Sequence, residues 1–327
     1  MLWFAMFRSL CCAALVFCFA LVSRLPVGAE DVKIVDDGDK AVVTIDGQPF
    51  TEYRYQGYAK PILYPVLGPG QKSMTRHYPM QKDVDNEASD HPHHKSIWYT
   101  HDEVAGVRFW MENGDGKAGK NVGVQVQSAM EIDGDTIISK NDWKNGDGET
   151  VCSDTRRIRF GSVGSDRFID YAVTWQATSE DLVIGDTKEG TMGIRTNPFL
   201  RLKADPKRGN HTAGGHSINS EGVKDRAMWG KRAAWVDYWG EIEGKEVGIA
   251  IFDHPSNPRH PTWWHARDYG LIAANPFGVN HFEGKPDGSG DMVVPAGKTL
   301  SFRYRFLFHE GDFEKADIQS RYQEFSK

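Results

Sequence analysis

Alternation of apolar and polar residues runs through most of the chain. Ala41–Ile45 ends at the Asp46-Gly47 turn, and Val122–Ile132 alternates as Val-Gly-Val-Gln-Val-Gln before Asp133-Gly134. Phe168–Trp175 and Lys245–Phe252 repeat the pattern, and Leu300–Phe308 reads Leu-Ser-Phe-Arg-Tyr-Arg-Phe-Leu-Phe, with arginines on one face. A period of two is the signature of half-buried strands. Close-set turns such as Asn145-Gly146-Asp147-Gly148 predict antiparallel connections. One helix is expected, over Phe313–Phe325, with Ile318, Tyr322 and Phe325 on one face and Asp312 as N-cap. It would brace a sheet. Lys203–Lys224 is polar, glycine-rich and without period, the pattern of a long functional or disordered loop. The pattern predicts an all-β fold, a large antiparallel two-sheet β-sandwich with a C-terminal helix.

The first residues follow another rule. Arg8 precedes the apolar run Ser9–Val22, and small residues lead to Ala29, as in a secretory signal peptide cut after Ala29. The run is short for a membrane span, and no later segment approaches one. Cleavage would leave 298 of the 327 residues, 30–327, as one β domain, periplasmic or secreted, with no membrane contact. Three of the four cysteines would leave with the leader, so Cys152 has no internal disulfide partner. The full chain carries a net charge of −6, and no basic cluster supports nucleic-acid binding. Oligomeric state cannot be read from the sequence.

Chemistry concentrates in three stretches. His91-Pro-His-His-Lys-Ser-Ile-Trp-Tyr-Thr-His101 holds four of the twelve histidines, with Asp90 before it and Asp102-Glu103 after it. Pro92 argues against a central strand. His91 and His93, two apart, could share one ligand or chelate one ion. The spacing fits neither a cupin metal motif nor a His-Glu-x-x-His zinc helix. A small-molecule acid/base site, a metal site and a set of turn histidines stay open. Downstream, Trp263-Trp264-His265, Arg267-Asp268-Tyr269 and Asn275 have the composition of a carbohydrate platform, in which aromatic faces cover the sugar ring and charged groups bond its hydroxyls. In the third stretch, Arg195 could clamp a ligand and Glu189 could act as general base. Other matches lead nowhere. Gly114–Gly119 has the dinucleotide-fingerprint letters but precedes a strand rather than a helix, and Gly215–Asn219 lacks the closing glycine of a nucleophile elbow. His281, Glu283 and His309 have the residue types of an iron facial triad, among glycines and prolines that favour a loop.

Together, His91-Pro-His-His-Lys-Ser-Ile-Trp98, Asp186-Thr-Lys-Glu-Gly190 with Ile194-Arg195, and Trp264-His-Ala-Arg-Asp-Tyr-Gly270 with Asn275-Pro-Phe-Gly278 resemble a family of secreted bacterial proteins catalogued as "methane oxygenase PmoA"-like. The resemblance implies a galactose-mutarotase-like β-supersandwich rather than a membrane oxygenase subunit, and in that fold histidines and a carboxylate stand over a sugar on a concave sheet. The order Arg76, His94 or His101, then His265 is similar to that arrangement, with different histidine spacings.

The expectation is thus an exported carbohydrate-active protein of epimerase, lyase or hydrolase type. His94, His101 and His265 would be the acid/base candidates, with Glu189 or Asp268 as the opposing carboxylate. Arg76, His91, His93, Trp98, Arg195, Trp264, Arg267 and Asn275 would hold the sugar. No cofactor is required, although a metal could sit in the His91–His101 cluster. The alternatives are a non-catalytic sugar-binding module and a metal-dependent oxygenase.

Overall fold

The computed structural model describes Met1, residues 31–113 and residues 121–327, so the expected leader after Met1 and the Gly114–Gly119 stretch lie outside the described residues. The expected all-β fold is observed. Two eight-stranded sheets face each other, and every strand pair in them is antiparallel. The first sheet runs in space through Val32–Asp36, Lys40–Ile45, Gln48–Arg54, Ile62–Val66, Ile97–His101, Gly190–Arg195, Leu271–Asn275 and Trp263–Trp264. The second runs through His216–Asn219, Trp235–Ile242, Lys245–Asp253, Thr299–Glu310, Asp166–Gln176, Thr150–Val163, Thr136–Lys144 and Val124–Asp133. A third sheet of four short strands adds Val104, Val107, Leu182, Ile184 and Val294 to the same core.

The alternating runs became these strands because each could bury its apolar set between the sheets. Phe50, Tyr53, Tyr99, Trp143, Trp175, Phe306 and Phe308 fill that space. Burying a large side chain of this kind contributes roughly 1.5–3 kcal/mol. One ionic network is enclosed there too. Asp154 accepts from Arg156, Asn141 and the Trp143 indole, so the charge is paired and hydrogen-bonded. Cys152 is buried and free. Among the described residues no helix is long and apolar enough to cross a membrane.

Two expectations are corrected. The C-terminal helix spans Ile318–Phe325, not Phe313–Phe325, because Asp317 takes a left-handed conformation (φ 49°) just before it. Asp312 instead caps a separate turn, accepting from the amides of Glu314 and Lys315. Ile318, Tyr322 and Phe325 do brace the second sheet, against Phe252 and its neighbours. The 203–224 stretch is not a structureless loop. It contains the strand His216–Asn219 and a turn at Pro206–Arg208, and Asn210 and Asn86 bond its backbone to the 86–94 segment.

Candidate functional site

The first sheet has an outer face that turns away from the shared core, and its register defines a floor. Trp98 pairs with Ile62 on one side and Gly193 on the other, Gly193 pairs with Ala273, and Ala273 exchanges both backbone bonds with His265. Residues in one such row point the same way. The small pair Gly193 and Ala273 therefore separates Trp98 from His265, whose Cα atoms are three strand spacings, about 14 Å, apart. A Cβ on Gly193 would stand 2.7 Å from the Trp98 ring, so glycine is what lets the indole lie down on the sheet. Arg195 and Leu271 form the adjoining row, with the Arg267 amide bonded to the Leu271 carbonyl.

The histidine loop folds over this floor. The Arg76 guanidinium gathers the carbonyls of Ala88, Asp90, His91 and His94, which bends residues 88–94 around it. Asp90 then accepts from Arg76 (2.5 Å) and Arg195 (2.7 Å) through one oxygen, and His91 Nδ1 lies 3.1 Å from the other. Burial would raise the Asp90 pKa, but His91, Arg195 and Arg76 hold it well below the usual carboxylate range. Tyr269, His91, His94 and Trp98 stack as a column of near-parallel rings, at centroid spacings of 5.2, 4.9 and 5.3 Å. Trp110 stands edge-on to both His94 and Trp98, at 5.6 and 5.4 Å.

Arg195 Nη1 lies 3.1 Å from His94 Nδ1. A guanidinium has no acceptor, so Nδ1 receives this bond and the His94 proton resides on Nε2. Burial, then the charges of His93 and Arg195, push the His94 pKa well below 6.5, so the ring is neutral. Its Nε2–H is buried with no acceptor among the described residues, as are the Trp98 and Trp110 indole N–H groups. Three unmet donors thus sit in one cluster of touching rings. Leaving a buried donor unmet costs on the order of 1–3 kcal/mol.

At the other end of the floor, His265 donates from Nδ1 to the Lys188 carbonyl (2.8 Å), which leaves Nε2 as an acceptor. Burial lowers its pKa to about 3, with the Lys188 bond opposing. Glu189 is partly exposed, 3.5 Å from Lys188 Nζ, and close enough for its charge to raise the Tyr269 pKa. Burial is the larger cause of that rise, to about 12. Asp268 pairs with Arg226 at 2.9 Å, and cavities of about 350 and 280 Å³ open on either side of it.

Several expected site residues are placed elsewhere. His101 does not join His94. It shares the parity of Tyr99 and projects into the space between the sheets, against Phe277, with Nε2 bonded to the Gly185 carbonyl. Burial lowers its pKa to about 4. Trp264 is no platform: it is buried in the shared core and donates to the Ala233 carbonyl. Asn275 is buried too, its Nδ2 donating to the Thr187 carbonyl and its Oδ1 accepting from the Phe277 amide. Arg76 orients the loop rather than facing open space. Arg267, by contrast, lines the smaller cavity, with Tyr269 5.5 Å from its guanidinium. His93 packs at 4.5 Å against His94, within the cluster. The supposed iron triad is not assembled, since His309 pairs with Asp237 on the second sheet while Glu283 holds the Trp263 indole. Among the described residues no group of three or more His, Cys, Asp or Glu side chains could hold a metal ion. Asp90, Trp110, Tyr269 and Gly193 were not singled out as site residues from sequence. Asp90 carried a signal as the acid directly preceding the histidines, and Tyr269 as part of the Arg267-Asp268-Tyr269 stretch.

Residues 40–323 match the model of a family of unknown function (DUF6807), and the chain belongs to that family. The description names no activity, and it does not confirm the methane-oxygenase-like label. No curated protein matches the sequence. Among solved structures, the chain is similar to a galactose mutarotase related enzyme from Lactobacillus acidophilus, with 9% identity, 85% of this chain and 97% of the other covered, and a TM-score of 0.33. It is also similar to a polysaccharide lyase (14% identity, 88% and 34% covered, TM-score 0.34) and to the alpha-galactosidase of Lactobacillus brevis (8%, 87% and 40%, TM-score 0.35). The chain spans about a third of the length of the first of these two and two fifths of the second.

Proposed function

We propose that this protein is carbohydrate-active and takes a sugar on the outer face of its first sheet, beside the Tyr269–His91–His94–Trp98 column. The observation that carries the reading is the cluster of unmet donors at His94 Nε2, Trp98 Nε1 and Trp110 Nε1. N–H donors call for oxygen acceptors, and sugar hydroxyl and ring oxygens are neutral acceptors at high density on a small molecule. His94 serves here as a neutral donor. With Nδ1 engaged by Arg195 and protonation disfavoured, it is poorly suited to deliver a proton as imidazolium.

Turnover is a second reading, favoured by Glu189. Its partly exposed carboxylate stands near the same floor as the His94 Nε2–H donor and the His265 Nε2 acceptor, and a carboxylate together with an N–H donor is the pairing needed to remove a proton beside a polarised sugar oxygen. Epimerisation, elimination and hydrolysis all use such a pair. Export through the leader completes the proposal, and an intact mass beginning at residue 30 would support it.

The test is a panel of ordinary and keto glycosides followed by NMR, with wild type beside His94→Phe, which keeps a ring in the stack and removes the N–H donor, and Glu189→Gln. Saturable binding should weaken about tenfold in His94→Phe, the scale of one hydrogen bond of roughly 1.4 kcal/mol. Conversion, if present, should vanish in Glu189→Gln while binding persists. A panel in which no glycoside binds the wild type sinks the proposal.

A further inference from the structure

Beyond the aromatic column, Arg201 is a buried cation with no ion pair among the described residues. Arg201 is 4% exposed, its Nε is wholly enclosed without a partner, and no carboxylate among the described residues forms an ion pair with it. Its position is set by the backbone. The Arg201 amide donates to the Pro198 carbonyl, its carbonyl accepts from the Gly215 amide, and the next amide, Leu202, donates to the Asp268 backbone carbonyl. The stem crosses Gly270 (φ +85°), where a Cβ would stand 3.2 Å from Arg201 Cγ. Thr196 Oγ1, beside the same glycine, is likewise buried and unpartnered.

Arg201 lines the 350 Å³ cavity together with Lys203, Lys207 and Arg208. Three acids line it too, and each is already engaged. Asp90 is held by Arg76 and Arg195, Asp268 by Arg226, and Asp205 lies 3.8 Å from Arg208. Lys203 and Lys207 have no ion-pair partner among the described residues, so the cavity has positive charge to spare. Burial and then the Arg195 charge disfavour the Arg201 cation, with Asp90, Asp205 and Asp268 opposing them but none in an ion pair with it, so an anion at its planar fork, carboxylate or sulfate, would relieve the cost.

We infer that this cavity is an anion site that receives the carboxylate or sulfate group of a charged sugar. The wall it shares with the column is Tyr269, so a sugar beside that ring could place an acidic substituent toward Arg201. The sugar part of the inference rests on the functional reading above, whereas the anion part stands on Arg201 alone.

Calorimetric titration with a methyl glucuronide, a 6-sulfated methyl glucoside, the neutral methyl glucoside and inorganic sulfate separates these parts. One or both charged glycosides should bind at least about tenfold more tightly than the neutral one, the scale of one charge-assisted hydrogen bond. Which of the two is preferred tells uronate from sulfate ester. Arg201→Met should erase the preference and leave neutral binding unchanged, and Arg201→Lys, which keeps the charge if methionine fails to fold, should retain part of it. Equal affinity of wild type for charged and neutral glycosides overturns the inference while the sugar reading stands. If no glycoside binds, the sugar reading falls, and sulfate then decides the anion site: saturation that depends on Arg201 upholds it, and its absence overturns it.

Discussion

Arg195 fixes the proton of His94. The 3.1 Å approach of Nη1 to Nδ1 leaves that nitrogen no role but acceptor, so Nε2 must carry the hydrogen. The residue that seemed from sequence to be the natural acid/base group is thereby a neutral donor. Nitrogen-15 NMR should show the Nε2–H tautomer of His94 persisting from pH 7.5 to 5. An imidazolium signal growing in near pH 6.5 would show that the Arg195 contact does not set the protonation state.

Acid should weaken the fold before the carboxylates titrate. Folded His94, His101 and His265 have pKa values below 6.5, at about 4 for His101 and about 3 for His265, all through burial first. The unfolded chain therefore takes up protons first as pH falls through 6.5, and stability present above that value is lost below it, by up to about 1.4 kcal/mol per pH unit for each group. His309 has the opposite sign. Its pKa is raised because Asp237 outweighs burial, so its contribution is present below 6.5 and lost as pH rises through the folded value. His254, also lowered chiefly by burial, adds a smaller, half-exposed contribution to the three, so the balance is a net loss on acidification. Urea midpoints at pH 7.0, 5.5 and 4.5 should fall in that order, and less steeply in His265→Gln. A flat series would contradict the burial of these rings.

Asp90→Ala should be among the most damaging single changes. It leaves the buried guanidiniums of Arg76 and Arg195 without their shared carboxylate, at a cost of about 3–5 kcal/mol. Denaturant unfolding measures this directly. A loss under about 1 kcal/mol, the value of a surface ion pair, would mean that the cluster is solvated.

Gly193→Ala tests the floor. The new methyl meets the Trp98 ring at 2.7 Å, so the indole must lift, for an overpacking cost of about 1–3 kcal/mol. The protein should fold and lose sugar affinity. Unchanged affinity in a folded variant would place the ligand elsewhere.

Cys152 should be inert in the native state. Burial, with Asp154 and Asp142 adding to it, pushes its thiol well above its ordinary range, and only the thiolate reacts. A thiol reagent should label it in urea and not in buffer. Rapid native labelling would contradict the closed core around it.

The strands were legible because one face of each meets the core and the other meets water or polar neighbours. That logic fails where a strand is covered on both faces. All of Ile97–His101 is buried, so no alternation marks which side His101 takes, and only the core position of Tyr99 settles it. The same holds for Trp264, which sits beside the outward Trp263 in a two-residue strand buried throughout. The His91–His94 cluster could be read as chemistry because its residue types are dense in sequence. Arg201 could not, since a lone arginine becomes exceptional only when the fold buries it without a partner. The helix start was misplaced because the sequence offers Asp312 as a cap, while the left-handed turn at Asp317 depends on packing against the sheet.

The most direct measurement of the central claim is a proton–nitrogen correlation spectrum of the indole N–H groups during titration with the glycoside panel. Trp98 and Trp110, assigned by single Trp→Phe variants, should shift saturably with one glycoside, while the Trp143 indole, already bonded to Asp154, stays in place. Shifts absent from Trp98 and Trp110 across the whole panel, or confined to other indoles, would contradict a sugar site at this cluster.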